Sequence, residues 1–412
     1  MKINPFRPNS PCKPGMFVGR YEQIEKIENC LLLTKANRGV SFLLTGERGI
    51  GKTSLLTLIK YFAEGHIEVN KQKLNFLVIE TDIDPKTTQS GLIKKIEIGL
   101  RRKLAKTEKT RNFFKESWNF IKNLEVAGTK FNANSNTDAE VFFEEFSYSL
   151  ADTINRITEN KDKLFDSTYD GVLIMLDEAD HASEELNIGA FIKLILERIQ
   201  KEGCEKLMFG VAGLPETREK LYQSHPSSLR VFEELELDRL SKTESKEVID
   251  NCKNEYKKLN NSELGMEKEA ESLLVYVSEG FPHFIHQYGF CAFETSNEQK
   301  ITKDDVLKGA TGKKGAIAML GNKYYTDDYY NKIRGDSYRE VLNIMSKKLD
   351  DWITKDEIRK EYTGTESQLS NAIKALIDRK IILPKAGVRG TYRLQDKGFA
   401  WWIMLTCQQE EN

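Results

Sequence analysis

Gly46, Gly51, Lys52 and Thr53 stand at the spacing G-x-x-x-x-G-K-[ST] within the run Gly46-Glu47-Arg48-Gly49-Ile50-Gly51-Lys52-Thr53. Glycines so placed let successive backbone N–H groups curl around a chain of phosphates, and a helix beginning at the end of the loop adds the positive end of its dipole. In that chemistry the contacts run from Gly46 to Ser54, the Lys52 ammonium reaches the β- and γ-phosphates, and the Thr53 hydroxyl ligates Mg²⁺. A second reactive pair lies far downstream at Asp177-Glu178. The aspartate is suited to hold the same Mg²⁺, usually through water, and the glutamate to orient or deprotonate an attacking water. Together they imply a chain that binds ATP with Mg²⁺ and hydrolyses it.

The flanking segments suit that chemistry. Val40-Ser41-Phe42-Leu43-Leu44 reads as a buried strand before the loop, and Ser54 to Ala63 carries apolar residues at helical spacing after it. Val172-Leu173-Ile174-Met175-Leu176 is a continuous apolar run ending at the carboxylate pair, the pattern of a strand covered on both faces. A further strand spans Asn75 to Glu80, and Leu207 to Leu214 reads as the next. An α/β fold follows, a parallel sheet sandwiched by helices.

The 412 residues suffice for two or three domains. Charge excludes little: 62 basic residues nearly cancel 63 acidic ones, so no global field marks a polyanionic partner. Cys12, Cys30, Cys204, Cys252, Cys291 and Cys407 are scattered with no C-x-x-C pair, as suits reduced thiols rather than a disulfide framework or a zinc site. The start of the chain lacks the apolar core of a signal peptide, and the longest strongly apolar stretch, Phe399 to Leu405, is too short to span a bilayer. A soluble, cytoplasmic protein without a membrane partner is expected.

Asp177-Glu178-Ala179-Asp180 spells the helicase DEAD box, but the companions of that box are missing: no Ser-Ala-Thr tripeptide follows, and no H-R-x-G-R string occurs. A wider set of landmarks resembles AAA+ ATPases of the origin-recognition and STAND type. Phe17-Val18-Gly19-Arg20 before an amphipathic helix (Tyr21 to Leu33) is similar to that family's entry motif, which implies that Val18, Gly19 and Arg20 lie beside the adenine. The phosphate loop and the Asp177-Glu178 strand follow, then the Gly213-Leu214-Pro215-Glu216 strand end. Phe232 to Leu237 looks like the fifth strand, and Asp238-Arg239-Leu240-Ser241 leads into a helical lid. There Gly280-Phe281-Pro282-His283 resembles the G-x-P motif, which implies that Pro282 and His283 face the nucleotide. Where the family often carries a polar residue at the end of its fourth strand, this chain has Val211-Ala212-Gly213. Where origin-type members often carry arginine after the proline, it has His283. Both departures favour a slow switch over a fast motor. The resemblance also implies self-association, with an arginine finger acting across the subunit boundary at Arg230, for which Arg218 and Arg239 compete.

The expected organisation is an ATPase domain over 1–241 with an insertion near 101–136, a helical lid and linker over 242–330, and a third domain over 331–412. Nine basic residues stand against three acidic ones from Arg101 to Lys130, interleaved with Phe113, Phe114, Trp118 and Phe120. Two readings are open: a nucleic-acid surface, or an amphipathic helix with its aromatics in the core. Lys122 to Asn136 looks like an inserted hairpin or loop, and Asp304 to Asn331 like a connection. The third domain has the order of a winged helix, with a helix from Tyr338 to Leu349, Thr354 capping a short second helix, and a third helix from Glu366 to Arg379. A hairpin from Ile381 to Leu394 completes it. Fifteen Lys or Arg stand against ten Asp or Glu between Asn331 and Lys397. Ser367, Gln368, Asn371 and Lys374 are placed to enter a DNA groove, and Lys385 and Arg389 to contact phosphates. The expected function is an ATP switch acting on DNA; the alternative is a regulator whose winged helix contacts a partner protein.

Overall fold

The computed structural model describes residues 2–121, 136–296, 300–333, 335–349 and 352–410. Two compact units make up the chain: Pro11–Asp238, and Met1–Ser10 together with Arg239–Asn412.

The first unit runs α1 (Tyr21–Lys35), β1 (Ser41–Gly46), α2 (Lys52–Ala63), β2 (Phe76–Asp82), α3 (Gln89–Leu104), α4 (Glu108–Ser117), α5 (Asn136–Glu159), β3 (Gly171–Asp177), α6 (Ile188–Lys201), β4 (Leu207–Gly213), α7 (Glu216–Ser224) and β5 (Phe232–Leu237). The strands lie in the order β2-β3-β4-β1-β5, with every pairing parallel. Parallel neighbours need long crossovers, and these place helices over both faces. Hence β4 is buried along its whole length and β3 as far as Leu176. β5, at the edge, buries Phe232, Leu235 and Leu237 and exposes Glu234 and Glu236.

The aromatic residues around α4 belong to the core. Phe113, Phe114, Trp118 and Phe120 are at most 8% exposed and cluster with Phe146 and Phe165. The Trp118 indole N–H donates to Thr153 Oγ1 at 3.1 Å, so its one polar atom is satisfied inside. Rings so enclosed are not available to stack on bases. Arg101, Arg102, Lys109 and Arg111 form the solvent face instead. The expected hairpin or loop of Lys122 to Asn136 falls, up to residue 135, outside the described residues.

The second unit contains α8 (Lys242–Asn260), β6 (Gly265–Met266), α9 (Lys268–Ser278), α10 (Pro282–Thr295), β7 (Lys300–Ile301), α11 (Lys303–Thr311), α12 (Ala316–Leu320), α13 (Asp336–Ser346), β8 (Ile353–Thr354), α14 (Lys355–Glu361), α15 (Glu366–Asp378), β9 (Ile382–Pro384), β10 (Thr391–Leu394) and α16 (Lys397–Glu410). Helix starts are set locally by reciprocal capping boxes: Ser241 with Glu244, Thr302 with Asp305, Thr354 with Glu357, and Thr365 with Gln368. Residues 3–7 pack on the same unit. Phe6 is 1% exposed and lies against Gly289, where a Cβ would come within 2.4 Å of its ring. The Ile3 N–H donates to Asn260 Oδ1 at 2.7 Å, and the Arg7 N–H to His286 Nδ1 at 3.3 Å.

Asp304 to Asn331 is no mere connection. It is mostly helical, comprising α11, α12 and the helical turns Gly321–Tyr325 and Asp327–Lys332. The reason is burial of its aromatics: Tyr325 packs 5.0 Å from Phe399, and Tyr329 5.4 Å from Trp402. Beyond it, β8, β10 and β9 form a small antiparallel sheet with β10 in the centre.

Phe114→Ala should lower the stability of the first unit by about 3–5 kcal/mol, the cost of a large cavity, whereas Lys109→Ala should stay within about 0.5 kcal/mol. Equilibrium denaturation of the two variants checks the contrast.

Candidate nucleotide-binding site

The loop after β1 is shaped by two glycines with positive φ, Gly49 at 81° and Gly51 at 108°, values that side chains resist. Ile50, 2% exposed, pins the middle of the loop to the core. Its methyl lies 2.8 Å from where a Cβ on Gly46 would stand, so the first glycine is required by close packing. Gly51 then leads into α2 with no side chain capping the helix. The first N–H groups of α2 are left facing outward, as an anion site needs.

Lys52 bends back across the loop, and its ammonium donates to the carbonyls of Gly46 at 2.8 Å and Glu47 at 3.0 Å. Burial pushes its pKa below the ordinary value; Asp180, then Asp177, pull it back up. The Thr53 hydroxyl donates to Asp177 Oδ2 at 3.0 Å, although 124 residues separate the two. Asp177 Oδ1 accepts the N–H of Glu178 at 2.8 Å, which fixes the carboxylate plane. Thr53 Oγ1 and Asp177 Oδ2 are hard oxygen donors, the set that fits Mg²⁺. Glu178 has a left-handed backbone (φ 55°) that turns the chain sharply out of β3 and leaves its side chain 61% exposed.

A family model for the KAP family P-loop domain matches residues 20–268. The chain belongs to the KAP family of P-loop NTPases. Among solved structures it is similar to the Aeropyrum pernix ORC2 protein in its ADPNP–ADP complexes, with 13% identity, a TM-score of 0.56, and coverage of 100% of this chain and 99% of that one. It is likewise similar to the ADP form of that protein, with 13% identity, a TM-score of 0.50, and coverage of 99% and 97%. At such identity the likeness is one of fold, and it agrees with the origin-recognition-like AAA+ fold expected from the sequence. No curated protein matches the chain.

The remaining predicted residues of this KAP chain divide by position. Ser54 Oγ accepts the Cys12 N–H at 3.0 Å, so Ser54 holds the segment that leads to Val18, Gly19 and Arg20. Val18 is buried, and Arg20 starts α1 from a left-handed backbone (φ 63°). Glu47 and Arg48 are exposed at the loop tip.

Arg230 is exposed just before β5, whose first residue pairs with Ser41. That is the opposite end of β1 from Gly46, roughly 17 Å along the strand, so Arg230 does not serve its own loop. It has no ion pair among the described residues. Its competitors are engaged, Arg218 with both oxygens of Glu234 and Arg239 with Glu279 and the Gln395 carbonyl.

Pro282 and His283 open α10 in the second unit. Burial, reinforced by Lys323, pushes the His283 pKa down to about 4, against a pull from the Pro8 carbonyl, so the ring is neutral at pH 7. Also in that unit, Ser367, Gln368, Asn371, Lys374, Lys385 and Arg389 are all exposed. The Gln368 side chain is spent locally, accepting the Thr365 N–H at 2.8 Å. Lys385 and Arg393 both lie over the Trp352 ring, at 5.5 and 5.1 Å.

Asp180 is the residue that the sequence reading passed over. Its side chain is 11% exposed, and Oδ1 accepts the Leu214 N–H at 3.0 Å across the end of β4. The only signal was its place as the fourth letter of a helicase-like string.

Because the folded pKa of His283 lies below its ordinary 6.5, the unfolded chain takes up the proton first. Folding is then unopposed by this group above pH 6.5 and increasingly disfavoured from there down to about 4. Over that window wild type should lose stability relative to His283→Gln by up to about 1.4 kcal/mol per pH unit. Urea unfolding of both proteins at several pH values reads the difference.

Proposed function

We propose that this KAP-family protein is an ATP-controlled switch that hydrolyses ATP slowly and changes its assembly on DNA. The observation that carries the reading is the Thr53 hydroxyl on the Asp177 carboxylate at 3.0 Å, beside the uncapped start of α2. In the proposed site, Gly46 to Ser54 wrap the phosphates and Lys52 exchanges its loop carbonyls for phosphate oxygens. Thr53 and Asp177 hold Mg²⁺. Held there, the ion would supply charge neutralisation at the phosphates. Glu178, exposed beside Asp177, orients the attacking water, and Val18, Gly19 and Arg20 border the base. The ADPNP and ADP named for the ORC2 protein support an adenine nucleotide as ligand.

Arg230 is proposed to act on the nucleotide of a neighbouring copy, which its position at the far end of the sheet supports. Residues 331–412 are read as a winged helix, on the order of α13, β8, α14, α15 and the β9–β10 hairpin. Ser367, Asn371 and Lys374 on α15 meet a groove, while Lys385 and Arg389 meet phosphates.

One observation favours the alternative, a winged helix that docks on a protein. The first turn of α15 carries Glu366, which pairs with Lys355 and Arg359, and Gln368 is used in capping. That pairing occupies Lys355 and Arg359, two cations a phosphate backbone would otherwise use.

Lys52→Ala should weaken ATP binding by at least about tenfold, and Glu178→Gln should keep binding while lowering turnover by about a hundredfold. On the DNA reading, Glu178→Gln traps an ATP-dependent oligomer on DNA, visible as a mass increase with DNA and ATP together. DNA binding that is the same with and without ATP would sink that reading and leave the protein-docking one.

A further inference from the structure

β3 ends at Asp177, and the chain then turns through Glu178 and the single helical turn Ala179–His181. Glu178 takes a left-handed backbone (φ 55°), and its carbonyl accepts the His181 N–H at 2.9 Å. The closed turn sets the side chains of Glu178 and His181 side by side. His181 Nδ1 lies 3.7 Å from Glu178 Oε2, and the other ring nitrogen, Nε2, lies 3.6 Å from Asp180 Oδ2. One imidazole stands between two carboxylates.

The two acids differ in how they are held. Asp180 is anchored: its side chain is 11% exposed, Oδ1 accepts the Leu214 N–H at 3.0 Å, and its main-chain carbonyl accepts from the Lys220 ammonium. Glu178 has no such anchor. Its side chain is 61% exposed, and among the described residues its carboxylate accepts no hydrogen bond and has His181 as its one ion-pair partner. A neutral imidazole donates one N–H and accepts at its other nitrogen, while the protonated ring donates both. Asp180 already has a donor in Leu214, so an N–H at Nδ1 serves the acid that has none.

A carboxylate that orients or deprotonates water needs a free oxygen and its full basicity. An N–H donated to it stabilises the charged form and occupies that oxygen, which weakens it as a base. We propose that His181 is a positioning residue that restrains Glu178. Asp180 steadies the ring, Nδ1 parks the glutamate carboxylate, and hydrolysis waits on its release. The brake lies within one turn of the chain, so ATP stays bound while turnover is slow. This role rests on the reading of Glu178 as the residue that orients the attacking water, and it gives slow turnover a cause in this chain's own residues.

His181→Phe keeps a ring and removes both nitrogens; His181→Asn keeps an N–H donor near the place of Nδ1. ATP affinity is read by titration with fluorescent nucleotide in the presence of Mg²⁺, turnover by phosphate release, and folding by the urea midpoint. His181→Phe should raise turnover roughly three- to tenfold at unchanged ATP affinity, and His181→Asn should stay below it, nearer wild type. In a Glu178→Gln background His181→Phe should give no gain, because the restraint acts through Glu178. His181→Ala repeats the comparison with no ring to pack, so the outcome does not hang on one variant folding. A folded His181→Phe or His181→Ala protein that turns over no faster than wild type would overturn the brake, as would a gain that persists with Glu178→Gln. A purely structural role for His181 predicts slower turnover together with a lowered midpoint. A Glu178→Gln protein that alone turns over as fast as wild type would instead overturn the catalytic reading of Glu178 itself.

Discussion

The site depends on one strand that pairs on both sides. β4 lies between β1 and β3, and its two parallel ladders, each about 4.8 Å wide, set the distance from phosphate loop to carboxylate. It carries small residues at the critical places. A Cβ on Gly210 would run into the Phe42 ring at 2.2 Å, and one on Gly213 into Thr217 Oγ1 at 2.1 Å. With both positions bare, the Phe42 ring and the Thr217 hydroxyl pack directly on β4, and the ladders on either side of it bring Thr53 and Asp177 to a shared hydrogen bond. Helices on both faces then exclude water from the strands beneath and keep the exits level. A larger residue at Gly210 or Gly213 would displace the Phe42 ring or the start of α7.

What was legible in the sequence was local. The loop glycines, the strand runs and the capping boxes each depend on residues within a few positions of one another, and the elements lie where those patterns put them. Phe232 to Leu237 is a strand over the whole expected stretch, and Thr354 caps the helix expected after it. Periodicity gave the helix holding Phe113 and Phe114, but it does not say whether an aromatic stripe faces core or solvent; Phe146 and Phe165, distant in sequence, decide that. Asp180 was illegible for the same reason. Its partner Leu214 is 34 residues on, and only the adjacency of β3 and β4 joins them. The stretch from Asp304 to Asn331 misled by composition: its glycines and charges suggest a linker, while its tyrosines anchor it against α16.

Two acids of the second unit, Asp396 and Glu279, serve as internal joints. Asp396 is partly buried, and desolvation lifts its pKa to about 6 even though the Tyr325 hydroxyl at 2.6 Å and the Phe399 N–H pull it down. Glu279, also raised by burial, accepts the Lys397 N–H and faces Arg239 at 3.6 Å. These acids tie the start of α16 to the turn before α10. The cations Lys374, Lys385 and Arg389, by contrast, point into solvent.

The packing of Phe6 and its neighbours on α8 and α10 bears on how the molecule is made. The ribosome delivers residues 2–10 ahead of the helices that receive them, which begin at Lys242 and Pro282, more than 230 residues later. At about 5–20 residues per second the N-terminal strap waits on the order of ten seconds or longer for its seat. Over that interval Pro11–Asp238, an uninterrupted stretch of chain, can fold. The second unit closes after the first, around a piece of chain synthesised before it. Its loop-closure cost has by then been reduced by a folded intervening domain rather than paid across a flexible chain.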